Sequence, residues 1–213
     1  MVERVFPSLT RSRLIALAVV VAFVTGAAAY RAGKPERPGE GSADVGFLHD
    51  MIVHHEQAVA MSYPAVNSVT DAEVRGFAKD ILAAQQYEIG LMEGWLRRWG
   101  YQRESDRRFA MEWAGHRHPR YQMPGMATEA ELEELTDATG PQAEDLFLAL
   151  MIPHHRGGVD MAKAGLERAK DPEVRKLADL LAKAQASEIG EMEATRRRLG
   201  FAPVPADADT GHH

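Results

Sequence analysis

The chain has 213 residues, 45 % apolar and 26 % charged, with a net charge of −6. That is enough for one good core or two small units sharing one, and without a basic block to neutralise phosphates the chain does not suit nucleic acid. Cysteine is absent, which excludes disulfides, thiolate metal sites and a thiol nucleophile, leaving His, Met and carboxylate as metal donors.

Residues 1–31 read as a targeting segment. Arg4, Arg11 and Arg13 precede LIALAVVVAFVTGAAAY (14–30), an uncharged run of 17 residues ending at Ala27-Ala28-Ala29. A basic flank, an apolar stretch and a small-residue end form an export signal. The run is also near the lower limit for a membrane span of roughly 20 residues, so it serves either as a cleaved signal or as a single N-terminal transmembrane anchor. The rest of the chain is expected to be exported, in the cell envelope or extracellular. No cysteine follows the run, so a lipoprotein anchor is excluded. Residues 32–44 (AGKPERPGEGSAD), rich in Gly, Pro and charge, are expected to be a flexible linker.

An internal repeat follows. At an offset of 100 and without a gap, 47–100 and 147–200 share 23 of 54 residues. Each copy predicts a helical hairpin, 45–100 and 144–200. The second helix of each opens at Asp71 or Asp171, good N-cap residues, with Pro172 in the first turn of the second copy. It closes at Gly100 or Gly200, behind arginines that suit a helix C-terminus. Two hairpins, each burying one face, combine into an all-α four-helix bundle. Between them, 101–143 is expected to be an irregular stretch followed by a short helix with a Thr128-x-x-Glu131 capping box. The tail, 201–213, is expected to be disordered.

The first helix of each copy carries MIVHH (51–55) or MIPHH (151–155). On a helical wheel Phe47, Leu48, Met51, Ile52, Ala58 and Val59 make one apolar face. His55 falls near its middle, and His54 at its edge beside Met61. On the second helix Gln85 and Glu88 sit inside the apolar stripe of Val74, Ala78, Ile81, Leu82, Ile89, Met92 and Leu96; Gln185 and Glu188 are their equivalents. A carboxylate on a core stripe costs several kcal/mol unless paired or metal-bound. Each hairpin thus brings two His (54 and 55, or 154 and 155), one Glu, one Gln and two Met (Met61 and Met92, or Met161 and Met192) toward one interior, a plausible set of metal ligands. The competing reading is a buried His–Glu hydrogen bond and methionines that fill the core. His49 aligns with Ala149 in the second copy, so it has no counterpart there, and is expected at the surface. Pro153 interrupts the helical pattern; it either kinks the helix and re-aims His154 and His155, or marks a helix start. Met123-Pro-Gly-Met126, with His116 and His118 nearby, adds soft donors on a loop with no core of its own to fill; thioethers select Cu(I), and imidazole serves Cu, Zn and Fe.

MPGMATEAELEELTDATGPQAEDLFLALMIPHHRGGVDMA, followed by EVRKLADLLAKAQASEIGEM, resembles the domain-of-unknown-function 305 family, with 45–100 as a degenerate first copy. The resemblance implies an exported bacterial protein with a ferritin-like helical bundle, and some members resemble a periplasmic copper-binding protein of copper resistance. It carries over Met151, His154, His155, Met161, Gln185, Glu188 and Met192, with Met123 and Met126. Where diiron ferritin-like proteins use Glu-x-x-His, this chain has Gln85-x-x-Glu88 and Gln185-x-x-Glu188, too few carboxylates for a diiron oxidase.

The expected function is transition-metal binding in metal homeostasis or resistance. Copper, as Cu(I) or Cu(II), is the expected metal, with zinc or iron the other candidates. The expected partners are the metal ion, a metal-handling protein, a second copy of the chain, and the membrane if the N-terminal run is retained. The alternatives are a metal-dependent oxidase or peroxidase and a metal-free interaction module.

Overall fold

The computed structural model describes residues 37–104 and 108–205. Ser42 accepts a 3.3 Å hydrogen bond from the Val45 N–H and so opens α1 (Ala43–Ser68). The Asp71 carboxylate accepts from the Glu73 and Val74 N–H groups and opens α2 (Ala72–Arg98). Two short antiparallel strands follow, β1 (Phe109–Ala110) and β2 (His118–Pro119), with a 3₁₀ turn at Glu112–Ala114 between them. Thr128 and Glu131 form the expected capping box at the head of α3 (Glu129–Asp137). Gly140 precedes α4 (Pro141–Arg168), and Asp171 opens α5 (Pro172–Leu199) in the same manner as Asp71. Both hairpins end alike: Gly100 (φ 79°) and Gly200 (φ 78°) turn left-handed. The N–H groups of Tyr101 and Phe201 then bond back to the Leu96 and Arg196 carbonyls.

The result is an all-α bundle of two hairpins, α1–α2 and α4–α5, joined chiefly by α1 against α4. Two acidic side chains fasten the hairpins to each other. The buried Asp44 carboxylate accepts from the N–H groups of Lys170 (2.8 Å) and Asp171 (2.7 Å) at the head of α5. The buried Glu144 carboxylate accepts from the N–H groups of Thr70 (2.8 Å) and Asp71 (2.7 Å) and from the Thr70 hydroxyl (2.6 Å) at the head of α2. Burial alone would raise the Glu144 pKa, but these bonds outweigh it and hold the carboxyl below its ordinary value. Hydrogen bonds to a charged group are worth about 1.5–3 kcal/mol each. Asp44→Ala and Glu144→Ala are therefore each expected to lower stability by about 2–4 kcal/mol. Denaturant midpoints check this, and a loss below about 0.5 kcal/mol would show that the caps do not hold the hairpins together.

The apolar core forms two clusters. In α1, the buried apolar residues from Val45 to Val53 belong to one and Ala58, Met61 and Ala65 to the other; α4 runs in the opposite sense, from Ala143–Ile152 in the second to Met161 and Ala162 in the first. Likewise α2 and α5 change cluster on either side of Gln85–Glu88 and Gln185–Glu188. All four long helices therefore cross a polar layer near their middles, and that layer holds the histidine pairs.

The structure differs from several expectations. His49 is buried, with its Nε2 2.9 Å from the Gln102 carbonyl, because the chain leaving α2 folds back over α1. The stretch 101–127 is not wholly irregular: its β-hairpin is pinned to α1 by the Asp50 carboxylate, which accepts from the Met111 N–H (2.7 Å) and the Trp113 indole N–H (2.8 Å). Residues 201–205 are ordered against the bundle. Phe201 and Val204 pack on the core, and the Arg196 guanidinium donates to the Ala202 carbonyl. Pro153 lies inside α4, which runs on to Arg168, so it does not mark a helix start. The expected signal or anchor at 1–31, the start of the linker and residues 206–213 lie outside the described residues. Among the described residues no helix is long and apolar enough to cross a membrane.

Candidate metal centre

His54, His55, His154 and His155 have no exposed surface. They sit at the crossing of α1 and α4, where the repeat brings equivalent residues face to face. The His54 and His154 rings stack with centroids 3.9 Å apart and planes tilted by 32°, and His155 lies beside His154 at 6.2 Å. Each Nε2 meets an acceptor. His55 donates to Glu88 Oε2 (2.9 Å) and His155 to Glu188 Oε2 (2.7 Å). His154 donates to the His54 carbonyl (3.0 Å), and His54 makes a long contact of 3.4 Å with the Pro124 carbonyl. These partners only accept, so the ring proton sits on Nε2 and an imidazole with one proton has its lone pair on Nδ1. All four Nδ1 atoms are buried and without a hydrogen-bond partner. An imidazole that donates through one nitrogen to a carboxylate or carbonyl and leaves the other free is the arrangement of an oriented metal ligand.

The electrostatics agree. Burial lowers the His54 pKa to about 3, with His55 and His155 adding repulsion against the pull of the Pro124 carbonyl. Burial, then the neighbouring His54, His155 and His55, push His154 well below its ordinary value. Both rings are therefore neutral in the folded protein at neutral pH. The unfolded chain, with histidines at about 6.5, takes up protons that the fold refuses. These two groups leave stability unaffected above about pH 6.5 and lower it progressively as pH falls below that, because only the unfolded chain takes up the protons. Each contributes a slope of up to about 1.4 kcal/mol per pH unit. Denaturant midpoints of the metal-free protein at pH 7, 6 and 5 are expected to fall in that order; a flat profile would contradict the burial of neutral rings.

The remaining candidates fall on either side of the histidine layer. Met92 and Met161, with Met51, share one core cluster; Met61, Met151 and Met192 share the other. All six are fully buried. Gln85 and Gln185 are buried, with their side-chain oxygens unpartnered. Gly158, one turn beyond His154, leaves room for Gln185, whose Oε1 would lie 2.1 Å from any added Cβ. Glu88 and Glu188 are less buried than the wheel suggested, at 22 % and 29 % side-chain exposure, because their long side chains reach in from the flank of the bundle.

The loop methionines also differ from expectation. Met123 and Met126 are buried in the same cluster as Met51, Met92 and Met161. The Met126 N–H closes a turn on the Met123 carbonyl (3.1 Å), with Gly125 at φ 78°, a type II turn. Its backbone lies directly on α4 at Pro153 and Gly157, and the Gln57 amide clamps its far end through the Ala127 N–H (2.7 Å) and carbonyl (2.9 Å). Packing alone therefore accounts for their burial. His116 and His118 stand apart, on the surface hairpin.

Among the described residues no three His, Asp or Glu side chains converge to cage an ion. An ion held at the orphaned Nδ1 atoms would draw further donors from thioether sulfur or the Gln oxygens, and sulfur with imidazole is a soft set.

A duplicated helical hairpin whose halves each send a histidine pair, an amide and an acid into one layer defines the class: an all-α bundle with a histidine-lined core. The chain belongs to the family described as domain of unknown function (DUF305), whose profile matches residues 44–196. A DUF305 protein from Streptomyces coelicolor, classed provisionally as secreted, is 41 % identical over 82 % of this chain and all of that one, with a TM-score of 0.72. A DUF305 fragment from Deinococcus radiodurans is 35 % identical over 73 % of this chain and 96 % of that one, with a TM-score of 0.62. CopM in its Cu(I)-bound form is 25 % identical over 73 % of this chain and 96 % of that one, with a TM-score of 0.54. No curated protein matches the chain.

Proposed function

We propose that this protein binds copper as cargo in its histidine layer and acts outside the cytoplasm in copper homeostasis or resistance. The observation that carries the reading is the set of four buried Nδ1 atoms without partners, each on a ring oriented through Nε2. His54, His55, His154 and His155 supply nitrogen, and Glu88 and Glu188 orient the outer pair and offset cationic charge. Met61, Met92, Met151, Met161 and Met192, with Met123 and Met126 from the turn and the oxygens of Gln85 and Gln185, supply the further donors. Thioethers favour Cu(I), and CopM, of related sequence and fold, is known with Cu(I) bound. The extracytoplasmic assignment draws support from the 1–31 pattern and from the Streptomyces relative.

Anaerobic titration with Cu(I) against a chromophoric chelator, with melting curves alongside, tests the reading. Stoichiometric binding and a raised melting temperature are expected. No binding and an unchanged melt would overturn it and leave the His–Glu pairs as core architecture.

A further inference from the structure

Among the described residues five histidines are buried and two are not: His116 is exposed and His118 half-buried. These two are, among the described residues, the imidazoles open to an ion arriving from solvent. We propose that His116 and His118 form a second, exposed metal site, which captures a divalent first-row ion, Cu(II) foremost, independently of the interior layer.

The platform is anchored to the bundle. The Asp50 carboxylate holds the Met111 N–H and the Trp113 indole. Trp113 packs edge-on against Phe47 with ring centroids 5.8 Å apart. Ala110, Met111 and Ala114 are buried in the core. Met111 and Gly115 are both left-handed (φ 65° and 86°), which reverses the chain, and the His116 N–H returns to the Met111 carbonyl. On this platform the two imidazoles lie one residue apart in sequence, with ring centroids 6.5 Å apart. Two imidazoles bound to one ion at about 2.0–2.1 Å per nitrogen place their centroids roughly 4.5–6.4 Å apart, the short end belonging to adjacent positions of a tetragonal Cu(II). A small rotation of exposed side chains closes that difference.

The residue between them is turned to other contacts. The Arg117 guanidinium lies 3.6 Å over the Phe109 ring, with its Nε 3.6 Å from Glu112. Arg120 is a nearby like charge that weakens cation binding, and its guanidinium lies 5.9 Å from the Tyr121 ring. Two protein nitrogens with water completing the shell make an exchangeable site, and Cu(II) heads the affinity order for imidazole. The chain then passes through a turn, Gln122 N–H to the Pro119 carbonyl at 2.9 Å, directly into the buried Met123. Position suits the pair to acquiring an ion rather than storing it.

The test uses the full chain carrying His212→Ala/His213→Ala, which removes the C-terminal imidazoles. Cu(II) is titrated against glycine and followed by electron paramagnetic resonance. Adding His116→Asn/His118→Asn is expected to abolish an exchangeable two-nitrogen Cu(II) signal, with at least a tenfold loss of affinity and an unchanged melt. Adding His54→Leu/His154→Leu is expected to leave that signal in place, whatever becomes of interior binding. No exchangeable Cu(II) in the parent, or the same signal in the His116/His118 variant, would overturn the inference.

Discussion

The His54→Leu/His154→Leu variant, compared with the parent in chelator, is expected to fold at least as stably and to bind Cu(I) at least about 100-fold more weakly. The two stacked rings sit fully buried with their Nδ1 atoms unpartnered. An orphaned buried acceptor costs about 1–3 kcal/mol, and leucine fills nearly the same space without it. Against this stands the loss of two Nε2 hydrogen bonds, one of them the long 3.4 Å contact to Pro124, worth about 0.5–1.5 kcal/mol each. The balance is near zero or favours leucine. A purely architectural role predicts the opposite, a loss of about 2–4 kcal/mol with no change in Cu(I) binding. Denaturant midpoints and chelator competition on the same two proteins decide between them. The logic is that of a site kept at some expense to the metal-free fold: donors are buried, aligned and left short of partners.

Much of this centre can be read from the chain because the repeat registers it twice. The offset of 100 places His54 on His154 and Glu88 on Glu188 before any fold is known, and the caps at Asp71 and Asp171 follow from local chemistry. What the sequence withholds is long-range. Asp44 and Glu144 are also an offset pair, but each caps a helix of the other hairpin, 126–127 and 73–74 residues away, and no local pattern announces that. A wheel gives direction and not depth, so it places Glu88 and Glu188 in the core, whereas their side chains are partly exposed and reach in from the flank. His49 and the loop methionines were misplaced for one reason: the segment after α2 folds onto α1 and α4 and supplies a core that helix periodicity alone does not include. The available sign was the replacement of Gln57-Ala58 by Gly157-Gly158 in the second copy. Glycines inside a helix mark a close approach, here of the turn backbone at Gly157 and of Gln185 at Gly158.

That close approach sets the second large effect. A Cβ on Gly157 would lie 1.9 Å from the Pro124 carbonyl oxygen, and one on Gly125 would lie 2.1 Å from the Pro153 carbonyl oxygen. Both obstacles are backbone, so no side chain can swing aside. Gly125 is also left-handed, at φ 78°, which adds about 1–2 kcal/mol for any residue with a Cβ. Overpacking typically costs about 1–3 kcal/mol, partly offset at Gly157 by the better helix propensity of alanine. Gly157→Ala is therefore expected to lose about 2–3 kcal/mol and Gly125→Ala about 3–5 kcal/mol. Gly190→Ala, in α5 with nothing near its Cβ, is expected to gain about 0.5–1 kcal/mol. The two damaging changes also lift the turn off α4, taking the Pro124 carbonyl from His54 and moving Met123 and Met126. Asp44→Ala, a comparable loss of stability far from the turn, supplies the control. If Gly157→Ala weakens Cu(I) binding and Asp44→Ala does not, the turn contributes to the centre; equal Cu(I) affinity in both would restrict the donors to the four long helices.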